Sequence, residues 1–357
     1  MKEIGSLVLG AFIGLTGVFY FIQYPESWSI RSGLLIVLCI VVSLPLSILL
    51  HEFGHFLAGR LQGMRLLNLS VGPFVIERHE GKLHFHFTPS FLNYLGRAMM
   101  TFPEHMNKED MRKKLIRYLF GGPMINIIGS FLLVGIAFGI WHHPFFLFFG
   151  IINVLLGFTN LKPVMAENAL ADGFAIKKLR TVPVEDSVII SAYSVLVEGT
   201  KTFDMKQWDA SLIEQLEGLI ATDDPIAKSF FPTLGYYYLP EDPEKVLAIG
   251  RTSAFTREAA SSDYYSDCAD ITFATALFFN DELKDYPSIE EELRKIGKSD
   301  IIIDLKRSAL LSYIEGDFKG AIEHLKIAND SLKKWHPIYL RGEMERELLT
   351  AMIDKII

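Results

Sequence analysis

Apolar runs long enough to cross a lipid bilayer are the feature that most restricts how this chain can fold. A bilayer core about 30 Å thick needs roughly 20 apolar residues in one helix. Half of the 357 residues are hydrophobic, and they concentrate in the first half of the chain. Four segments predict transmembrane helices: Ile4–Ile22, about Leu34–Leu61, about Tyr118–Trp141 and about Phe145–Leu161.

Flanking residues predict how these spans are retained and oriented. No small-x-small cleavage site follows the first run, which favours a retained helix over a cleaved signal peptide. Basic residues crowd the stretch 60–117 and recur after the fourth span, whereas the connections 23–33 and 142–144 carry only Arg31. By the positive-inside rule, we expect a multi-pass membrane protein with its C-terminal domain in the cytoplasm. The expected location is a bacterial cell membrane.

The connection between the second and third spans carries strand signals. Leu69–Ile76 and Lys82–Thr88 flank Glu80-Gly81, a pattern that predicts a β-hairpin. Phe91–Phe102 is apolar but too short to span, and it suits a membrane-buried strand or helix. The expected fold class is therefore an all-α polytopic membrane protein with a short β-hairpin, joined to a soluble α-helical domain.

From about Val182 the composition becomes that of a soluble helical protein, so we expect a membrane-embedded domain at 1–180 and a cytoplasmic one at 181–357. Ser308–Ala328 carries apolar residues at helical spacing on both sides of Gly316, as in a tetratricopeptide hairpin. Weaker echoes near Gly235–Leu247 and Ala274–Leu283 suggest a degenerate repeat array, and a plain helical bundle is the alternative.

Charge and cysteine content exclude two other classes of protein. The net charge of −7 gives no basic signature for nucleic acid. The two cysteines, Cys39 and Cys268, lie in an apolar and a polar environment, so no disulfide framework is expected.

One short motif carries the chemistry. His51-Glu52-Phe53-Gly54-His55 is an H-E-x-x-H pattern, which places two imidazoles on one helix face to hold zinc beside a glutamate general base. The alternative, a polar helix end at the membrane surface, is weaker because such groups are costly at membrane depth. His84 and His86 also share a strand face, but there a solvated hairpin surface is favoured over a metal site.

A catalytic zinc takes three protein ligands and keeps one position open. The fourth span ends in the helix-breaking sequence Asn160-Leu161-Lys162-Pro163, and a carboxylate after this break can reach the metal. Asp172 is the favoured third ligand and Glu167 is its rival.

These elements together resemble the site-2 protease family of intramembrane zinc metalloproteases. The H-E-x-x-H motif matches its zinc motif, Asn160-Leu161-Lys162-Pro163 with Asp172-Gly173 resembles its second motif, and Gly121-Gly122-Pro123 with Asn126 resembles a Gly-Pro-x-x-Asn element. The resemblance covers about residues 34–180. One departure is that many members place aspartate five residues after the proline, where this chain has Asn168.

The resemblance implies a zinc endopeptidase that cleaves transmembrane or membrane-associated segments of substrate proteins. Zinc-activated water, with Glu52 as general base, would attack the scissile carbonyl, and Asn160 would bind the unwound substrate backbone. The expected partners are such a substrate, the lipid bilayer and a protein at the C-terminal domain. The alternatives are a catalytically silent peptide-binding or regulatory protein and, more weakly, an ion transporter.

Overall fold

The computed structural model describes residues 18, 22, 30–79, 82–87, 96–103, 106–141, 143–163, 165–166, 169–202, 204–222, 224–252, 263–297, 300–332 and 342–357. The chain divides into two compact units, Met1–Val182 and Pro183–Ile357, which we call unit 1 and unit 2. The predicted first span, Ile4–Ile22, lies outside the described residues except for residues 18 and 22, so it stays a prediction.

Unit 1 is built on two long helices, α1 (Ile30–Leu61) and α2 (Lys108–Gly139), each of 32 residues. Both contain stretches that are long and apolar enough to cross a membrane. A third apolar helix, α3 (Pro144–Asn160), has 17 residues, fewer than a span ordinarily needs. The described residues therefore contain two candidate spans, and the count of four stays a prediction.

The start of α2 lies ten residues before the predicted span. The Asn107 side chain caps the helix by accepting a hydrogen bond from the Glu109 amide at 2.8 Å. Glu109 and Asp110 lie in the first turn, where negative charge is favoured by the helix dipole. The hydropathy pattern marks where the helix becomes apolar and misses this polar first section.

The β-structure of unit 1 is larger than one hairpin, which corrects the predicted fold class. Strands β1 (Arg65–Val71), β2 (Phe74–His79), β3 (Lys82–Phe87) and β4 (Gly96–Thr101) form an antiparallel sheet in the order β3-β2-β1-β4. The predicted strand Leu69–Ile76 is wrong, because Gly72, with a φ of 53°, and Pro73 turn the chain there. The pairing of β2 with β3 joins His79 to Lys82, as a hairpin at 80–81 requires.

Unit 1 ends with a two-stranded ribbon and a short helix. Strands β5 (Met165–Ala166) and β6 (Ala169–Leu170) pair antiparallel, and α4 (Asp172–Thr181) follows directly.

Unit 2 is helical and packs around one large apolar core. Its helices Ile301–Ile314 and Phe318–Leu332 are joined by a turn at Gly316, whose φ of 83° suits glycine, as the predicted helical hairpin requires. A tetratricopeptide array stays a prediction. The helices of unit 2 are α5 (Val188–Lys201), α6 (Ala210–Ile220), α7 (Pro225–Lys228), α8 (Phe231–Tyr238), α9 (Pro243–Thr252), α10 (Asp263–Phe279), α11 (Pro287–Lys295), α12 (Ile301–Ile314), α13 (Phe318–Leu332) and α14 (Gly342–Ile356).

A buried ion pair ties α12 to α14. Lys306 Nζ lies 2.7 Å from Glu345 Oε1, and both side chains are almost fully buried. Tyr236 of α8 donates a hydrogen bond to the same carboxylate. Removing one partner of such a pair strands a charge away from water, which costs far more than losing an exposed pair.

We predict that Lys306→Met lowers the free energy of unfolding of unit 2 by about 3–5 kcal/mol, because the Glu345 carboxylate keeps its burial and loses its counter-charge. Chemical unfolding of the full-length protein, followed by far-UV circular dichroism, measures the change.

Lys295→Met is the matched control, since Lys295 pairs with Glu291 at the exposed surface, where the loss should be under about 1 kcal/mol. Adding Glu345→Leu to Lys306→Met should restore much of the stability. Equal losses for the buried and the exposed lysine would contradict the prediction.

Candidate metal centre

The helix α1 places two imidazoles one turn apart on its buried face. His51 and His55 are 8% and 5% exposed, and their Nε2 atoms lie 3.1 Å apart. The four-residue spacing brings both rings to one point, because residues i and i+4 are neighbours on a helix surface.

The first residue of α4 completes the cluster. Asp172 Oδ2 lies 3.2 Å from His51 Nε2 and 3.3 Å from His55 Nε2. Burial by itself raises the pKa of Asp172, but the charges of His55 and His51 and hydrogen bonds from both rings outweigh it, so the pKa lies below its ordinary value. The position at a helix N-terminus also favours an anion, so this carboxyl is ionised, as a metal ligand must be.

A close contact after Asp172 fixes its position. A Cβ on Gly173 would lie 2.1 Å from the Leu161 carbonyl oxygen, so only glycine lets α4 begin directly against the end of α3. This explains why glycine follows the aspartate.

The ribbon β5–β6 accounts for the unusual spacing between Pro163 and Asp172. The strands pair Met165 with Leu170 and Ala166 with Ala169, so the extra residues fold back on themselves. The chain thereby returns to the end of α3 before Asp172. Glu167, the rival ligand, lies outside the described residues.

The α1–α2 crossing orients His55. The Nδ1 atom of His55 lies 3.0 Å from the Tyr118 carbonyl oxygen of α2. A carbonyl oxygen can only accept a hydrogen bond, so Nδ1 donates to it, and in the neutral ring Nε2 is then the atom that can bind a metal. This hydrogen bond is the ordinary outer-shell support of a metal-ligating histidine. His51 Nδ1 is buried and has no hydrogen-bond partner among the described residues.

The three ligand atoms fit a tetrahedral zinc ion. Zinc–nitrogen bonds of about 2.0–2.1 Å imply separations of about 3.3 Å between tetrahedral ligand atoms, and the observed separations are 3.1, 3.2 and 3.3 Å. Residues His51, His55 and Asp172 form a group that can hold a metal ion.

Gly122 keeps space open beside these ligands. A Cβ at this position would lie 2.4 Å from His55 Nε2 and 2.8 Å from His51 Nε2. A side chain here would occupy the space that the ligand atoms face, so the glycine fits a site that receives a metal.

Glu52 is buried at 7% exposure and lies against β4. A Cβ on Gly96 would lie 2.7 Å from Glu52 Oε1, and the backbone of Ala98 hydrogen-bonds to Glu52. The Tyr118 hydroxyl donates to the Ala98 carbonyl. The edge strand β4 therefore positions the carboxylate of Glu52, which directly follows His51 in the sequence.

A buried polar cluster lies one turn before the metal ligands and was not predicted as a group. Asn153 Nδ2 donates to Ser47 Oγ at 2.9 Å, and Asn126 Nδ2 reaches the Ser47 carbonyl at 3.5 Å. Ser43 and Ser47 precede His51 by eight and four residues, so they continue its helix face. This spacing was the signal in the sequence that could have revealed the cluster.

The other candidate residues make hydrogen bonds or ring contacts of their own. Asn160 Nδ2 donates to the Leu156 carbonyl of its own helix at 3.1 Å. The rings of His84 and His86 stack in parallel, and His86 Nε2 lies 2.8 Å from Glu77 Oε1. Within the described ranges, neither histidine belongs to a group of three metal-binding side chains.

A histidine pair and an aspartate that could hold a metal ion, with a buried glutamate beside them, match the ligand pattern of catalytic zinc sites. Residues 39–144 match the family model described as Peptidase family M50, which confirms the resemblance to the site-2 protease family. Members of this family are zinc-dependent membrane metallopeptidases, and the two long apolar helices fit that class. No curated protein and no solved structure matches the chain.

The family match covers only part of the site. It includes His51, Glu52 and His55 and ends before Asn160 and Asp172. The assignment of Asp172 therefore rests on its distances to the two imidazoles.

We predict that Gly122→Ala lowers the zinc bound per protein by about tenfold or more, a loss typical of a disturbed ligand shell. The added methyl group would press on both Nε2 atoms. Metal analysis of the purified full-length variant measures the loss.

Gly135→Ala is the matched control on the same helix, because a Cβ there meets nothing within 4 Å. It should bind as much zinc as the unaltered protein. Full zinc occupancy in Gly122→Ala would show that the metal does not lie where Gly122 leaves room.

Proposed function

We propose that this protein is an intramembrane zinc endopeptidase that cleaves transmembrane or membrane-associated segments of other proteins. The observation that carries the proposal is the convergence of His51, His55 and Asp172 beside Glu52 inside an apolar helical unit. The family match supports protease chemistry. The location, in a bacterial cell membrane with unit 2 in the cytoplasm, is part of the same proposal.

We assign separate roles in metal binding and proton transfer to the residues of the site. His51, His55 and Asp172 would hold the metal. Zinc bound there supplies Lewis-acid chemistry, since it lowers the pKa of a coordinated water and offsets negative charge on the scissile carbonyl oxygen. Glu52 would take the proton of the attacking water and pass it to the leaving amine. Its burial against β4 holds the carboxylate in one position for both transfers.

The two edges of the four-stranded sheet, β4 and β3, would differ in how close to Glu52 they could hold an extended substrate. The outer edge of β4 is engaged at Ala98, whose backbone contacts Glu52 and whose carbonyl accepts from Tyr118. The opposite edge, β3, is three strands away, or about 14 Å at the usual spacing of 4.7–4.9 Å. A strand added to β3 by β-augmentation would therefore hold substrate away from the scissile bond.

Asn160 remains the proposed contact to the substrate backbone near the metal. Its Nδ2 already donates to Leu156, so it would use Oδ1 or exchange that hydrogen bond. We propose that the helices of unit 2 bind a protein partner.

We predict that Glu52→Gln retains zinc but lowers the rate of peptide-bond cleavage by about 100-fold to 10,000-fold, because glutamine is close in shape and cannot accept the proton. Cleavage of a single-span substrate by the purified protein in detergent, with zinc measured in parallel, tests this.

Glu77→Gln is the matched control, since Glu77 is also a buried glutamate of unit 1 but lies on β2. It should leave the rate within a few-fold. Wild-type cleavage by Glu52→Gln would remove Glu52 as the base, and zinc-loaded protein that cleaves nothing would favour a silent peptide-binding role.

We predict that Asp172→Ala lowers bound zinc, whereas Glu167→Ala does not, because only Asp172 lies within 3.3 Å of both imidazoles in the described structure. Metal analysis of both variants after equal dialysis compares them. The reverse result would assign the third ligand to Glu167.

A further inference from the structure

A cavity of about 390 Å³ lies where α2, the end of α3 and α4 meet. Its lining is chiefly Phe120, Leu161, Pro163, Ile176, Lys177 and Arg180. It is separate from the metal centre, since none of the three metal ligands lines it. Gly173, the residue after Asp172, does line it, so the cavity and the metal centre share the start of α4.

Two cations stand at this cavity without a counter-ion. Lys177 and Arg180 are exposed, and neither forms an ion pair with any residue that the structure describes. The Arg180 guanidinium lies over the Phe120 ring, 5.4 Å from its centroid, a cation–π contact that holds it at the opening. Two positive charges at one opening, one of them held against a ring, favour an anionic ligand.

Apart from Thr181, whose hydroxyl donates to the Lys177 carbonyl, the side chains of the remaining lining are apolar, which indicates what kind of anion fits. Phe120, Leu161, Pro163 and Ile176 offer no hydrogen-bond donors from their side chains, so a small hydrated anion would lose water without replacement. The cavity also lies at the end of an apolar helix, where the bilayer surface is expected. A molecule with a phosphate and an adjoining apolar part would contact both the two cations and the apolar side chains of the lining.

We propose that this cavity binds an anionic phospholipid, with its headgroup phosphate between Lys177 and Arg180 and its apolar part against Phe120 and Ile176. Basic pockets at the cytoplasmic ends of membrane helices are known to bind such headgroups. The bound lipid holds α4 against the end of α3 and so keeps Asp172 in place. This second consequence rests on the proposed metal site, whereas the binding of lipid does not.

The binding test is a native mass spectrometry titration of the full-length protein with phosphatidylglycerol and, separately, with phosphatidylcholine. We expect phosphatidylglycerol to bind and the double variant Lys177→Gln/Arg180→Gln to bind it about 30-fold more weakly, which is about 2 kcal/mol, or about 1 kcal/mol for each cation. Both side chains are exposed, so the variant should fold normally.

The control variant Lys108→Gln/Lys113→Gln removes the same charge from the start of α2, away from the cavity, and should bind the lipid as the unaltered protein does. Inorganic phosphate at millimolar concentration should not displace the lipid. Equal affinity for phosphatidylcholine, equal losses in both double variants or displacement by phosphate would each overturn the proposal.

The effect on Asp172 is tested by the rate at which a chelator removes zinc from protein in nanodiscs. Zinc should leave at least several-fold more slowly from nanodiscs of phosphatidylcholine with phosphatidylglycerol than from phosphatidylcholine alone, and Lys177→Gln/Arg180→Gln should abolish the difference. Equal rates for the unaltered protein would overturn the coupling to Asp172. Lipid binding without any peptide cleavage would count against the protease function and leave the lipid site standing.

Discussion

The close crossing of α1 and α2 is the contact on which the rest of unit 1 depends. A Cβ on Gly54 would lie 2.5 Å from the Gly121 carbonyl oxygen, and a Cβ on Gly121 would lie 2.5 Å from that of Gly54. Small residues permit such approach between membrane helices, where packing rather than the hydrophobic effect drives association. Since the backbones touch here, Gly122 reaches the imidazoles, and the carbonyl of Tyr118 reaches His55.

The groups of the candidate metal centre differ in how far their positions depend on tertiary contacts. His51, Glu52 and His55 come from consecutive turns of one helix, so local geometry alone brings them together. Asp172 arrives only because β5–β6 folds back and Gly173 lets α4 begin against α3. Glu52 is held in turn by an edge strand. His55 and Glu52 nevertheless share a support, because the carbonyl of Tyr118 accepts from His55 and its hydroxyl donates to Ala98, whose backbone hydrogen-bonds to Glu52.

The sequence predicts the helical part of this site well and the tertiary part poorly. The spacing of His51 and His55 sets their common face because helical periodicity is local. The choice between Asp172 and Glu167 depends on a ribbon of two-residue strands and on one glycine contact, and neither leaves a periodic signal. The sequence does not separate β1 from β2 because the turn at Gly72 lies inside an apolar run. It does not identify β4 because that segment suits a strand or a helix equally.

The distance along the chain between the ligands has a consequence for biosynthesis. His51 and Asp172 are 121 residues apart, and the later residue is the last ligand to leave the ribosome. A nascent chain that has inserted only α1 carries the two imidazoles and the glutamate but lacks the third ligand. For the proposed protease, hydrolytic competence would therefore have to wait for synthesis and docking of α4, and an incompletely made protein would be inert towards its neighbours in the membrane.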